Sequence, residues 1–157
     1  MQYPGYNTGK VILTEGEWYP FKIHNLVQLQ DDAYYYVMLD INGLKHFMPA
    51  EYYLQYEFNI GDDIDCKIDR INCTGRIFLE PKHPFYKEGE IYAFTLLNYQ
   101  NHGNESILFV KGINENSIEV RINDQNKICL ANVKKVNCKV KGTKKGSLIL
   151  EYLDISN

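Results

Sequence analysis

Hydrophobic and polar residues alternate with a period of two along most of this chain, as they do in half-buried β-strands. In the first half, Tyr19, Phe21 and Ile23 alternate with polar residues or proline, and similar runs follow. The order of the predicted elements is three strands, a short helix and a hairpin, which is the layout of an OB barrel. The predicted strands are residues 19–24, 34–41, 44–48, 64–71 and 76–79, with the short helix at residues 49–56.

The same pattern occurs twice. Residues 15–23 and 88–96 share Glu-Gly-Glu followed by Tyr-x-Phe at an offset of 73, and residues 64–68 resemble residues 136–140 at an offset of 72. Two similarities in the same order at almost one offset indicate a duplicated unit. The predicted strands of the second copy are residues 92–97, 107–111, 117–122, 136–141 and 148–150.

We therefore predict an all-β protein made of two tandem five-stranded OB-like barrels, each with at most a short helix. If the barrels are copies, Tyr19 and Phe21 should occupy the same core positions as Tyr92 and Phe94. The predicted parts are an N-terminal extension at residues 1–14, barrel one at 15–81, a short linker at 82–87 and a divergent barrel two at 88–157.

The four cysteines do not have the spacing of a zinc site or a redox pair. Cys66 and Cys138 each lie between apolar residues at alternating strand positions, so both are predicted to be small core residues. We expect no metal and no disulfide. The Gly-rich, HExxH and G-x-S-x-G motifs of common enzymes are absent from the sequence, so neither catalysis nor a cofactor is expected.

Composition indicates a packed protein, because hydrophobic residues make up 45% and aromatic residues 13% of the 157 residues. Without an apolar run of membrane length or a secretory start, we expect a cytoplasmic protein with no membrane contact. The net charge of -3 argues against a dedicated high-affinity nucleic-acid binder. The charge is uneven, however, because residues 1–80 carry -6 and residues 81–157 carry +3.

Copy one resembles the S-one-type OB domain, an RNA-binding barrel found in ribosomal proteins, ribonucleases and initiation factors. The resemblance covers residues 15–81 and rests on Gly-Leu-x-His at 43–46, Asn-Ile-Gly-Asp at 59–62, and the hairpin at 66–79. It implies that the RNA-contacting side chains are Tyr34, Tyr36, His46, Asn72 and Arg76. The family usually has Asp where Asn72 stands, and copy two lacks the Gly-Leu-x-His motif.

Tyr34 and Tyr36 share one strand face, and exposed rings there would stack on the bases of a single strand. His46 and Arg76 would then contact base edges and phosphates. The alternative is that the two tyrosines pack beneath a loop or against copy two, and that His46 is an ordinary surface histidine.

A second candidate lies in copy two, where six lysines fall within twelve residues that contain no acid: Lys134, Lys135, Lys139, Lys141, Lys144 and Lys145. Four of them, Lys139, Lys141, Lys144 and Lys145, are predicted to attract phosphates; the alternative is a solvated hairpin. The leading hypothesis is a non-catalytic protein that binds single-stranded RNA weakly. The other is an adaptor that uses the OB scaffold and its tyrosine-rich surface to bind a protein partner.

Overall fold

The computed structural model of the protein describes residues 9–123 and 129–156. The chain divides into two compact units, Met1–Lys82 and His83–Asn157, which we call unit one and unit two. Unit one contains β1 (Trp18–Gln28), β2 (Tyr34–Leu39), β3 (Lys45–Pro49), a 3-10 helix (Glu51–Tyr56), β4 (Asp63–Ile71) and β5 (Ile77–Pro81). Unit two contains β6 (Ile91–His102), β7 (Glu105–Lys111), a 3-10 helix (Ile113–Glu115), β8 (Ser117–Asn123), β9 (Lys135–Lys144) and β10 (Ser147–Ile155).

Each unit is one curled, five-stranded antiparallel sheet. The strand order is β3-β2-β1-β4-β5 in unit one and β10-β9-β6-β7-β8 in unit two, which is the same order written from the other edge. The predicted all-β, OB-like architecture is confirmed, and the short helix predicted in copy one is a 3-10 helix. In the part of the chain that the structure describes, every helix is too short or too polar to cross a membrane.

The two cores use equivalent residues, as the repeat predicts. Phe21 and Phe94 are the large buried rings of the first strand in each unit, with only 1% and 2% of their surface exposed. Tyr19 and Tyr92 are partly buried against the same two cores. The prediction that these two pairs occupy equivalent positions is therefore confirmed.

The paired registers agree as well. Tyr19 lies opposite Cys66 in unit one, and Tyr92 lies opposite Cys138 in unit two. Both cysteines are free thiols with no exposed surface, as predicted for core residues. Burial raises the pKa of the Cys138 thiol to about 11, so this thiol is protonated at neutral pH.

The segment before each barrel closes one end of it. In unit one, the Thr14 N–H donates to the hydroxyl of Tyr19; in unit two, the Lys87 N–H donates to the hydroxyl of Tyr92. Tyr86 packs against the core of unit two. Residues 83–87, predicted as a linker, therefore contribute to the packing of unit two.

The 3-10 helix of unit one is fixed by a buried polar contact. The Tyr53 hydroxyl donates to Oε2 of Glu80 at 2.9 Å, and the two residues are only 2% and 4% exposed. Burial, the charge of Glu80 and this hydrogen bond all raise the pKa of Tyr53, so the hydroxyl stays protonated. The helix therefore holds one end of the gap between β3 and β5, where the candidate site lies.

Candidate nucleic-acid interface

Unit one has an open cleft of about 640 Å³ between β3 and the turn that joins β4 to β5. β3 and β5 are the two edge strands of this sheet, so the cleft lies where the barrel is open. Its lining is aromatic, aliphatic and basic: Leu29, Tyr35, Leu44, Lys45, His46, Phe47, Thr74, Gly75, Arg76 and Ile77. Two of the predicted site residues, His46 and Arg76, thus line one cleft.

The aromatic side chains of the cleft are Tyr35 and Phe47. Their rings meet edge to face with centroids 6.4 Å apart, and Phe47 is 43% exposed. The Tyr35 hydroxyl donates to Oδ2 of Asp31 at 2.8 Å. This hydrogen bond raises the pKa of Tyr35 and lowers that of Asp31, so the phenol remains a neutral donor with a fixed direction.

The expectation that Tyr36 offers an exposed ring is wrong. Tyr36 is only 8% exposed, belongs to the core of unit one, and meets Phe58 edge to face at 5.8 Å. Val37 and Met38 are buried as well, so alternation in β2 does not distinguish the two faces. Tyr34 does lie at the surface, 54% exposed, but it does not line the cleft.

His46 is held by a buried carboxylate. Its Nε2 lies 2.7 Å from Oδ2 of Asp40, and its ring meets Phe21 edge to face at 6.1 Å. It follows that His46 lies on the core side of β3, at the end of the barrel, with 14% of its side chain exposed. The side chain of Asp40 is 1% exposed, so the alternative of an ordinary surface histidine does not describe this pair.

Hydrogen bonds, rather than burial, determine the charge state of Asp40. Burial acts to raise the pKa of the carboxyl group, but the bond from His46 and the N–H groups of Leu44 and Asn42 outweigh it. The pKa is therefore lowered, and the carboxylate is charged at neutral pH. Oδ1 accepts from both N–H groups, at 2.9 and 2.8 Å, so the turn between β2 and β3 depends on the same side chain.

A pair of arginines shares one aromatic ring next to the cleft. The guanidinium carbons of Arg70 and Arg76 lie 4.5 and 4.9 Å from the centroid of Phe78. Within the described residues, neither arginine forms an ion pair with a carboxylate. Cation–π contact orders both groups without neutralising their charge, and two ordered guanidinium groups can hold phosphate oxygens.

Asn72 has a structural role in the turn that carries Arg76. Its Oδ1 accepts hydrogen bonds from the Arg76 N–H at 2.8 Å and from the N–H and hydroxyl of Thr74. These bonds occupy the side-chain oxygen and fix the turn between β4 and β5. Asn72 therefore supports the cleft wall, although it does not line the cleft itself.

The lysines predicted in unit two lie far from a uniform basic surface. Lys139 and Lys141 are on the outer face of β9, where Nζ of Lys141 lies 3.2 Å from Oε2 of Glu151. Lys139 lies opposite the same glutamate in the neighbouring strand. Lys144 and Lys145 are exposed at the turn between β9 and β10. One acidic residue thus reduces the charge of the strand lysines but not that of the turn.

Sequence reasoning missed Asp40, Tyr35, Phe47 and Arg70. A signal for Asp40 was present, because an acidic residue just before Asn-Gly is a common acceptor for turn N–H groups. The aromatic residues were missed because the inward face of β2 was assigned to the wrong residues.

The cleft offers flat rings, fixed donors and cations, which suit reversible binding of an anionic, planar ligand. Among the described residues, no group of three or more potential metal ligands comes together. No protein-family model matches the chain, and no curated protein is significantly similar to it.

Proposed function

We propose that the protein binds single-stranded RNA weakly, without catalysis, in the cleft of unit one. The observation that carries the proposal is the composition of this cleft, where exposed aromatic rings lie beside Lys45 and Arg76. No acidic residue is among the described residues that line it. This combination favours a ligand with both flat rings and negative charge.

Each part of the cleft has a defined task in this proposal. Phe47 and Tyr35 stack on bases, and each stack contributes about 1–3 kcal/mol. Arg76, together with Arg70 on the other side of Phe78, attracts phosphates. Few cations are available and the whole chain is acidic, so the binding is expected to be weak and sensitive to salt.

The resemblance of copy one to the S-one-type domain supports the same function. That resemblance implied an RNA contact for His46 and Arg76, and both residues line the cleft. It also implied contacts for Tyr34 and Tyr36, which do not line it. We therefore assign stacking to Tyr35 and Phe47 in their place.

Unit two supplies a weaker, sequence-independent attraction in this proposal. Lys144 and Lys145 act at the hairpin turn, while Lys139 and Lys141 act less strongly because Glu151 is close to both. Like other phosphate contacts, these lysines add affinity that falls as salt rises.

A protein partner is the second candidate, and the open edge of β3 favours it. Leu44 and Ala50 direct their backbone hydrogen bonds toward β2, so Lys45 and Phe47 direct theirs away from the sheet. An extended peptide could pair with these free groups and extend the sheet. Phe47 would then contact a peptide side chain instead of a base.

The test is a fluorescence-anisotropy titration with a labelled, mixed-sequence RNA of about ten nucleotides at low salt, within the site sizes typical of one OB fold. The wild type should saturate, and Phe47→Ala should bind about 5- to 150-fold more weakly, since one stack is lost. Phe85→Ala is the matched control, because Phe85 is a similarly exposed ring in unit two, 66% exposed.

Two results would contradict the proposal. Absence of saturable binding by the wild type at low salt would remove RNA as the ligand and favour the peptide partner. Equal losses for Phe47→Ala and Phe85→Ala would show that binding does not depend on the cleft. Circular dichroism spectra of both variants should match the wild type, because each ring is exposed.

A further inference from the structure

His46 has one ring nitrogen that is fixed and one that is free. Nε2 is bonded to Asp40, while Nδ1 has no hydrogen-bond partner among the described residues. Every buried side-chain nitrogen or oxygen of these residues does have a partner. Nδ1 is therefore accessible to solvent, and it belongs to a residue that lines the cleft.

Asp40 determines which nitrogen carries the proton. Both of its oxygens act as acceptors, Oδ1 for two backbone N–H groups and Oδ2 for His46. A carboxylate can only accept, so Nε2 must carry the hydrogen of a neutral ring. Nδ1 is then a hydrogen-bond acceptor that faces the ligand.

We propose that Nδ1 of His46 accepts a hydrogen bond from a ribose 2′-hydroxyl, so that the cleft prefers RNA to DNA of the same sequence. This inference rests on the proposed function. Lys45 and Arg76 can only donate, and the Tyr35 hydroxyl already donates to Asp31. His46 is thus a fixed acceptor in the cleft, and the 2′-hydroxyl is the donor that distinguishes RNA from DNA. Asp40 is a positioning residue, because it acts only through His46.

Asp40→Asn tests this arrangement with a minimal change. The N–H groups of Asn42 and Leu44 still need an acceptor, so the amide oxygen must remain with them. The amide NH2 then faces Nε2 of His46, which becomes the acceptor, and the proton moves to Nδ1. The variant should keep its fold while it presents a donor to the ligand in place of an acceptor.

The experiment has two readouts. Long-range 1H–15N NMR at pH 8 should show a protonated Nε2 in the wild type and a protonated Nδ1 in Asp40→Asn, with no ligand present. Anisotropy titrations then compare ribo, deoxy and 2′-O-methyl forms of one oligonucleotide. The wild type should bind the ribo form about three- to tenfold more tightly than either of the others, since both lack the donor.

In Asp40→Asn these ratios should fall to about one if the lost hydrogen bond is the only source of the preference. Asp63→Asn is the matched control, because this carboxylate is 75% exposed and lies outside the cleft; it should keep the wild-type ratios. A wild-type protein that binds no oligonucleotide would overturn the proposed function itself. Saturable, Phe47-dependent binding with equal affinity for ribo and deoxy forms would overturn only this inference, as would a protonated Nδ1 in the wild type.

A base amino group is the other donor that Nδ1 could accept from. In that case the affinity would depend on base sequence and not on the sugar. Repeating the titrations with a second oligonucleotide of different sequence distinguishes the two donors. A ribo preference of equal size in both sequences is the result that the 2′-hydroxyl assignment requires.

Discussion

The two units share a backbone framework and differ at one end of the barrel. In unit one, the Asp40 N–H donates to the carbonyl of Leu44; in unit two, the Gly112 N–H donates to the carbonyl of Asn116. Aligning these turns places Gly112 where Asp40 stands and Ile118 where His46 stands. A polar pair in one unit is thus replaced by an apolar side chain and a glycine in the other.

The replacement at Gly112 has a steric reason. A Cβ atom on Gly112 would lie 2.8 Å from Cδ1 of Ile118, so the isoleucine fills the space that a side chain at residue 112 would need. The same alignment puts Glu119, which pairs with Arg121 at 2.9 Å, where Phe47 stands. Core residues therefore repeat between the units, whereas the chemistry of the cleft is found in unit one.

The largest expected effects concern the shared core. Phe21→Ala and Phe94→Ala should each lower the free energy of unfolding of their own unit by about 3–5 kcal/mol, because both remove a fully buried ring. Chemical denaturation measures this loss. Trp18, the single tryptophan, reports on unit one by fluorescence, and circular dichroism reports on both units. A loss below about 1 kcal/mol for either variant would contradict equivalent core roles.

The next effect is a pH dependence specific to unit two. Nδ1 of His83 accepts the N–H groups of Phe85 and Tyr86, both at 3.2 Å, and burial lowers the pKa of His83 to about 4. The unfolded chain then binds more protons than the folded one between pH 4 and about 6.5. Unit two should lose up to about 3 kcal/mol of stability as the pH falls through this window.

His83→Asn separates this titration from the hydrogen bonds. The asparagine oxygen can accept the same N–H groups but does not titrate, so thermal unfolding of the variant should vary less between pH 6.5 and 4. Unit one has Lys10 at the corresponding position, so its Trp18 transition should be unaffected. An unchanged pH slope in His83→Asn would show that another group causes the dependence.

A double-mutant cycle tests the steric account of unit two. Gly112→Ala should cost about 1–3 kcal/mol, since the added methyl group would be too close to Ile118. Ile118→Val removes Cδ1, so the double variant should be more stable than the sum of the two single losses predicts. Additive losses in denaturation experiments would mean that the two side chains do not compete for the same space.

The smallest effect is expected from the lysines of unit two. Replacing Lys139, Lys141, Lys144 and Lys145 by Gln should flatten the slope of log affinity against log salt by less than about 2.8, the value for four lost contacts. Glu151 already reduces the contribution of Lys141. A larger change, measured by anisotropy at several salt concentrations, would show that unit two is the main phosphate site.

The duplicated framework could be predicted from the sequence, because alternation and the offset of 73 depend only on local pattern. Tyr19, Phe21 and their counterparts in unit two were placed correctly for that reason. β2 was harder, since Tyr36, Val37 and Met38 are buried in succession and carry no period-two signal. The inward face was therefore assigned to the wrong residues.

The candidate site was predicted only in part. His46 and Arg76 were found through short motifs, but the contact of His46 with Asp40 depends on how the turn between β2 and β3 folds back. Arg70 and Arg76 come together only because a register shift in β4 directs both toward Phe78. Contacts of this kind follow from tertiary geometry and leave no pattern in a single sequence.

An exchange of residues between the units tests most directly whether the cleft of unit one is the binding site. Phe47→Glu with Arg76→Ser gives unit one the residues of unit two, while Glu119→Phe with Ser147→Arg makes the reverse change. In an RNA titration at low salt, the first variant should bind more than about tenfold more weakly than the wild type, since a stack and a cation are lost. The second should bind at least as well as the wild type. Unchanged affinity in the first variant would contradict the assignment of the site to unit one.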